Sequence, residues 1–358
     1  MKSSVLQFKF MKTALIWTFL LGVVLTSCSK KSTTPPVVID KTALKAAIVI
    51  AQALNDNTVE GTKPGQYEVG SKAALTAALT ASKAVDASAS ATQATVTNTV
   101  AQLTAAIAAY QGHLIKEIAA ANLIGYWKMN GNANDSSGNN NNGVVTVGHA
   151  FFGAGTPTLT ADRFGRANMA YHFDHGGNIE IPYKASLNPQ QITISLWARQ
   201  DTIGRTINTA NCYMVSMNRW NGYKFQTQPF LPFFTVHAIE TTDTAYYDRD
   251  DAGTAIVPGP TWYHLVVTFK PGFEDFYING SLVKEWTNVP GTPITVPNIN
   301  LTIGSDLPTG TYLTVDPTGN FLVDYGGFWT GDLDDVMIYN IALDGPQVGS
   351  IFTNQNTL

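Results

Sequence analysis

The chain has 358 residues, a formal charge of −4 and only 13% charged residues, against 11% aromatic residues and 30 glycines. Acids outnumber bases, so no basic surplus exists to meet a phosphate backbone, and nucleic acid is excluded as a partner. Low charge with abundant Gly, Asn and Thr suits a secreted, β-rich protein better than a cytosolic enzyme.

The N-terminus begins with Lys2, Lys9 and Lys12, followed by an apolar run from Ala14 to Leu25 that contains Trp17 and Phe19. The run has the length of a signal-peptide core and is too short for a permanent membrane span. Met11-Lys12 opens a complete signal of its own, so Met1 and Met11 both stand as starts. Leu25-Thr26-Ser27-Cys28 resembles the lipobox of bacterial lipoproteins: a branched apolar residue, two small residues, then Cys. The resemblance implies a signal peptide over 1–27 and a lipid on Cys28 that tethers the protein to a membrane. The polar, Thr- and Pro-rich stretch Ser29–Pro36 then serves as a spacer, with residues 28–39 as linker. Ser-Lys-Lys after the Cys, with Thr-Pro following, resembles outer-membrane lipoproteins of Bacteroidota. The acidic residues that favour the outer face in that group are missing, so the expected location is the cell envelope, outer membrane, with the leaflet open. With Cys28 committed to lipid, Cys212 has no disulfide partner, and a thiolate zinc site is excluded.

At Asp40 the composition turns to Ala, Thr and Leu, and helical spacing predicts three helices over 40–118. The first is expected to open with Asp40 as N-cap and carries Leu44, Ala47, Ile48, Ala51 and Leu54 on one stripe. The second carries Tyr67, Ala74, Leu75, Ala78, Leu79, Ser82 and Val85. The third is expected to start with a capping box, Ser90 capping and Gln93 reaching back. Its stripe is Val96, Val100, Leu103, Ile107, Tyr110 and Leu114, which calls for partner helices and a small antiparallel three-helix bundle. Tyr67 and Tyr110 fall on these stripes and are expected in the core. Ala91-Thr92-Gln93-Ala94-Thr95-Val96, then Val100, Leu103, Ala106, Ile107 and Tyr110, resembles the FIVAR-type helical module of bacterial surface and sugar-processing proteins, which implies a spacer or a weak sugar-associated module without catalysis.

After Asn122 the period becomes two. Ile192, Ile194, Leu196 and Ala198 alternate with Thr193, Ser195 and Trp197. Leu265, Val267 and Phe269 alternate with His264, Val266 and Thr268, so both faces of that strand are covered. Asn279-Gly280 is a tight hairpin turn. Many strands without intervening helices predict a mainly β fold: a two-sheet antiparallel β-sandwich of jelly-roll type over 122–358.

An ordered series of blocks resembles the LamG-like jelly roll of the concanavalin A-like lectin/glucanase superfamily. The blocks are Leu123-Ile-Gly-Tyr-Trp127 with Gly131-Asn-Ala-Asn-Asp135-Ser-Ser-Gly138, then Asp162-Arg-Phe-Gly165 and Ala170-Tyr-His-Phe-Asp174. Ile192-Thr-Ile-Ser-Leu-Trp197, Trp262-Tyr-His264, Tyr277-Ile-Asn-Gly280 and Gly331-Asp-Leu-Asp334-Asp335-Val-Met-Ile-Tyr-Asn340 follow. The family implies a short closing helix over Leu343-Asp344 to Phe352. Its glucanases place Glu, Asp and Glu on alternate residues of one strand, and no such motif occurs. The sandwich's glutamates, Glu180, Glu240, Glu274 and Glu285, are scattered in sequence. Glycoside hydrolysis needs two carboxylates flanking the bond, so no catalytic residue is expected. No serine elbow, P-loop or His-Glu metal motif appears.

Strand parity puts Asp334 with Val336 and Ile338, toward the core, where a carboxylate must be paired, hydrogen-bonded or metal-bound. Related jelly rolls carry a structural calcium where the opening loop meets a late strand. That resemblance implies one calcium on Asp135 and Asp334, against the simpler reading that Asp334 bonds backbone amides. Asn130 stands where the family has Asp. The run Asp243–Asp251, with Asp248 and Asp250, reads as a solvated loop, or else as a second cation site. Sugar binding needs aromatic faces beside polar groups. The candidates are Trp220, Tyr223, Tyr246 and Tyr247 in one region, and Tyr325 and Trp329, with Tyr312 and Phe328, in another. Trp127, Trp197, Trp262, His172 and His264 fit framework positions. The expected ligand is a glycan or glycoprotein, bound without catalysis. A protein–protein adhesion or scaffold module and a diverged glycoside hydrolase remain as alternatives.

Overall fold

The computed structural model describes residues 38–201, 211–228, 230–240, 243–251, 253–312 and 327–357. Cys28 and Tyr325 lie outside them. The chain divides into Met1–Asp40 and Lys41–Leu358; of the first, residues 38–40 are described, without regular secondary structure.

Helices α1 (Thr42–Asn57), α2 (Lys72–Ala87) and α3 (Gln93–Gly112) pack on one another in all three pairs. Their shared core holds Ala47, Ala51, Leu75, Leu79, Leu103 and Ile107. Tyr67 and Tyr110 stack inside it at 4.3 Å, 7° from parallel. The helical stripes are packing faces through these residues, but Tyr67, expected on the second helix, lies before α2 in an isolated bridge with Glu60 and Leu114, and Ala74 is exposed. The caps differ from expectation. Lys41, not Asp40, is the N-cap of α1. On α3 the cap is Thr92, whose hydroxyl accepts the Thr95 amide at 3.1 Å, so the helix starts two residues later than a Ser90 cap requires.

The remainder is two eight-stranded sheets, with every pair antiparallel. The strands are β1 (Leu123–Trp127), β2 (Val144–Thr146), β3 (Thr158–Thr160), β4 (Ala170–Phe173), β5 (Asn178–Ile181) and β6 (Ile192–Gln200). Then come β7 (Cys212–Met217), β8 (Tyr223–Thr227), β9 (Pro232–Ile239), β10 (Thr244–Asp250) and β11 (Tyr263–Lys270). The series closes with β12 (Phe273–Ile278), β13 (Ser281–Trp286), β14 (Thr292–Pro293), β15 (Leu301–Ile303) and β16 (Gly331–Tyr339). One sheet runs β13-β12-β11-β6-β16-β4-β3, with β1 also on β16; the other runs β10-β9-β8-β7-β15-β5-β2, with β14 on β9. Inward residues of both, among them Ile194, Leu196, Leu265, Val267, Phe225 and Phe234, form one core, as period-two burial requires.

The outer faces of the two sheets have different fates. Helix α4 (Gly345–Gln355), opened by a capping box between Asp344 and Gln347, lies over the first sheet. Val348 is buried with Val266, Tyr277, Met337 and Tyr339, and Phe352 stacks on Trp197. The helical region bonds to the same helix: Ser350 and Asn354 donate to the Thr62 carbonyl, and Lys116 pairs with Asp344 at 2.7 Å. The cavity described next lies on the outer face of the second sheet.

Candidate functional site

Alternation on β8 turns Tyr223 and Phe225 into the core and Lys224 outward. On β9, Phe234 and Val236 go in while Phe233 and Thr235 go out; on β10, Tyr247 goes in while Tyr246 and Asp248 go out. The outward set, with Tyr213 from β7, lines a cavity of about 580 Å³. Asn211, Trp220 and Gln228 complete its wall.

Trp220 is carried by the turn between β7 and β8. Asn218 and Arg219 both adopt left-handed backbone there, φ 61° and 54°. Gly222 closes the turn, and a Cβ at that position would lie 2.4 Å from the Met217 carbonyl oxygen. Arg219 roots the turn: its Nε donates to Asp306 Oδ2 at 2.5 Å, with both residues buried. The same guanidinium lies 5.3 Å from the Trp220 ring centre. Burial raises the Asp306 carboxyl and Arg219 opposes that shift; Tyr312 donates to the same carboxylate. On the other side, the Gly222 carbonyl accepts the His237 amide at 2.7 Å, and His237 stacks on Tyr246 at 4.1 Å. The two aromatic candidates are thus linked through one turn and one histidine.

Within the cavity, Lys224 is only 7% exposed. Its Nζ donates to Gln226 Oε1 at 3.2 Å and lies near the Tyr213 and Phe233 rings. Burial pulls its ammonium down to about 8. Asp248 is exposed and accepts the Thr235 hydroxyl at 2.5 Å. The region around Asp248, read as a loop, is strand β10, paired with β9 along its whole length.

Of the aromatic candidates among the described residues, Trp220 and Tyr246 line the cavity and five others do not. Tyr223 is buried in the core and donates to the Leu187 carbonyl at 2.9 Å. Tyr247 faces the core and donates to Glu240. Trp329 is fully buried in the same core, while Tyr312 and Phe328 pack with Phe152 and Leu307. Tyr223 and Tyr247 follow strand parity, which outranks their closeness in sequence to Trp220. The lining residues that aromatic content did not point to are Asn211, Tyr213, Lys224, Gln228, Phe233 and Asp248. The alternation in 223–227 and 232–239 was the available signal for Lys224 and Phe233.

The calcium expectation does not fit its residues. Asp135 accepts the amides of Tyr126, Ser137 and Asn141 and the Ser137 hydroxyl, all at 2.8–3.0 Å. Asp334 Oδ2 accepts Arg163 Nη1 at 2.7 Å, and Asp335 accepts Arg163 Nη2 and Tyr126 Oη. Donors take both oxygens of Asp135 and a guanidinium takes Asp334 Oδ2, which leaves Asp334 Oδ1 as the one unpartnered oxygen of the pair, where a calcium shell needs six or more oxygens. The expected core-facing parity of Asp334 is also corrected. β16 carries a bulge in which Asp335 has φ 48°, so Leu333 and Val336 both face the core and Asp334 sits opposite Trp197, under α4. Among the described residues, no group of three His, Cys, Asp or Glu side chains is placed to hold a metal.

Two other polar clusters stand out. Ser195 Oγ and His264 Nε2 lie 2.8 Å apart, but both are fully buried, and burial pushes the imidazole down to about 3, so it is neutral and only a weak base at neutral pH. Asp275 and Glu285 stand opposite each other across the β12–β13 ladder and line a cavity of about 300 Å³ with Asp344 and Lys270. Burial, then Glu285, raises the Asp275 carboxyl to about 6. Sequence spacing did not bring these acids together; the hairpin does.

The fold and cavity define a two-sheet sandwich with one face covered by a helix and a mixed aromatic-polar hollow on the other. Residues 173–349 match the family model Laminin_G_3, described as the concanavalin A-like lectin/glucanases superfamily, and the chain carries a domain of that superfamily. A gellan lyase from Bacillus sp. is 43% identical over 81 residues, 23% of this chain and 3% of that protein. Domain 4 of AbnA, a GH43 extracellular arabinanase from Geobacillus stearothermophilus in complex with arabinotriose, has a TM-score of 0.44 at 19% identity, over 64% of this chain and 98% of that one. The binding domain of Paraclostridial Mosquitocidal Protein 1 has a TM-score of 0.45 at 18% identity, over 66% of this chain and 53% of that one.

Proposed function

We propose that this is a lipid-anchored envelope protein whose sandwich binds a glycan or glycoprotein through the cavity on its second sheet, without turning it over. One observation carries the reading. Trp220, Phe233 and Tyr246 share a hollow of about 580 Å³ with the amides of Asn211 and Gln228, an ammonium and a carboxylate. Aromatic surface suits the C–H faces of a sugar, and the amides and charges suit its hydroxyls. The superfamily match is consistent with this use of the fold. Anchoring at Cys28 and placement in the outer membrane rest on the leader sequence. A glycan array probed with the whole chain and with Trp220→Ala and Tyr246→Ala tests the reading. Retention by the parent and loss in both variants is expected; equal retention in all three forms removes the cavity from the reading.

A second reading has its own observation. Asp275 and Glu285 face each other across one hairpin, the kind of carboxylate pair that glycoside hydrolysis requires. Release of reducing ends from a polysaccharide, abolished by Asp275→Asn and by Glu285→Gln, would move the function there. No release from a panel of polysaccharides leaves the binding role.

A further inference from the structure

We infer that the ligand of this cavity is an acidic sugar, whose carboxylate is held by the ammonium of Lys224; this rests on the glycan reading above. Lys224 stands on the outward face of β8, more than nine-tenths buried, and lines the cavity. An ammonium can donate three hydrogen bonds. This one makes a single bond, to Gln226 Oε1 at 3.2 Å, and otherwise faces the Tyr213 and Phe233 rings at 5.3 and 5.2 Å. Among the described residues, no carboxylate forms an ion pair with it.

The two acids that attract Lys224 from a distance have partners of their own. Asp306 is engaged by Arg219 and Tyr312, and Asp248 Oδ1 by the Thr235 hydroxyl. A buried charge without a counter-ion is costly, and a ligand that supplies the counter-ion recovers that cost on binding. A neutral sugar would offer the ammonium hydroxyl acceptors but no counter-charge. A carboxylate on the ring gives Lys224 its missing counter-charge, while Asn211, Gln228 and Asp248 line the same cavity.

The groups facing Lys224 are Tyr213 from β7, Phe233 and Thr235 from β9, Asp248 from β10, Arg219 from the turn, and Asp306 after β15. Burial raises the Tyr213 phenol, which keeps it neutral, and the arginine keeps its charge. Lys224, brought down to about 8, is then the group that changes charge between neutral and mildly alkaline pH.

The test uses the whole chain on an array of uronic-acid oligosaccharides, each paired with its carboxyl-reduced neutral counterpart, followed by calorimetry on the retained pairs. Acidic members are expected to bind at least about tenfold more tightly than their reduced forms. Lys224→Met should erase that preference, Lys224→Arg should keep part of it, and Trp220→Ala should weaken both members. If Lys224→Met fails to fold, the parent's pH profile decides: acidic binding must weaken through pH 8 while neutral binding stays flat. Equal affinity within pairs, unaffected by Lys224→Met or by pH, overturns the acidic preference and leaves glycan binding standing. Retention of no sugar by the parent overturns both.

Discussion

Arg163 Nη1 donates to Asp334 Oδ2 at 2.7 Å while Nη2 donates to Asp335 Oδ2 at 2.9 Å, so one guanidinium bridges both carboxylates of the β16 bulge. The bridge is buried, with Arg163 and Asp334 side chains 6% and 3% exposed, and the guanidinium also lies 4.5 Å from the Trp197 ring centre. Burial, then Asp335, raises the Asp334 carboxyl, and Arg163 draws it back. In this way the bulge, α4 and the loop holding Asp162 and Arg163 are joined at one point.

Removal of that guanidinium should leave the buried Asp334 without a counter-charge and Asp335 with only the Tyr126 hydroxyl. Arg163→Ala is expected to cost about 3–5 kcal/mol in urea unfolding. Arg163→Lys should recover only part, because a lysine cannot span two carboxylates with a planar fork. A variant as stable as the parent would show that the bridge contributes nothing net.

The same geometry bears on calcium. With Asp135 bonded to amides and Asp334 to arginine, excess EDTA should leave Tm unchanged. A fall in Tm that added calcium reverses would point to a cation held elsewhere in the chain.

Glu274 on β12 is fully buried, and neither carboxylate oxygen has a partner among the described residues. Burial raises its carboxyl well above 4.5, with Arg249 opposing. A raised acid contributes stability that is fully present below its unfolded value and lost as pH rises through its folded value. Glu274→Gln should therefore gain on the parent as pH climbs above 4.5, by about 2–4 °C in Tm for each kcal/mol. Parallel melting curves across that range would show that Glu274 is solvated.

The two tryptophans proposed from sequence should separate cleanly. Trp329→Ala opens the fully buried core and is expected to cost about 3–5 kcal/mol. Trp220→Ala, on the cavity wall, should cost about 1 kcal/mol and act on binding. Similar losses for both in chemical denaturation would contradict their different placement.

At the N-terminus, Cys28→Ser should shift the protein from the membrane to the soluble fraction after cell lysis, since the apolar run before it has the length of a cleaved signal. Persistence in washed membranes would argue against a lipid on that residue.

Alternation in Ile192–Ala198 and Leu265–Phe269 was enough to predict strands and their inward faces, because burial on a sheet has a period of two and apolar residues reveal it directly. The same holds for the helix stripes and for Tyr110, whose spacing along α3 is its position in the core, whereas Tyr67 reaches that core from the bridge before α2. Local chemistry was harder to read. Ser90 and Thr92 both qualify as caps, and only the backbone at the start of α3 selects between them. Asp334 was misplaced because a bulge at Asp335 reverses parity without a signal in composition.

Sequence alone therefore determined the sandwich and the helices, since each is set by periodicity and composition over short windows. Only the tertiary structure decided the site. Which outer face α4 covers, which of six aromatic candidates meet, and that a buried lysine lies among them all depend on pairings between strands far apart in the chain. Those pairings are enforced by one shared core, and no local pattern encodes them.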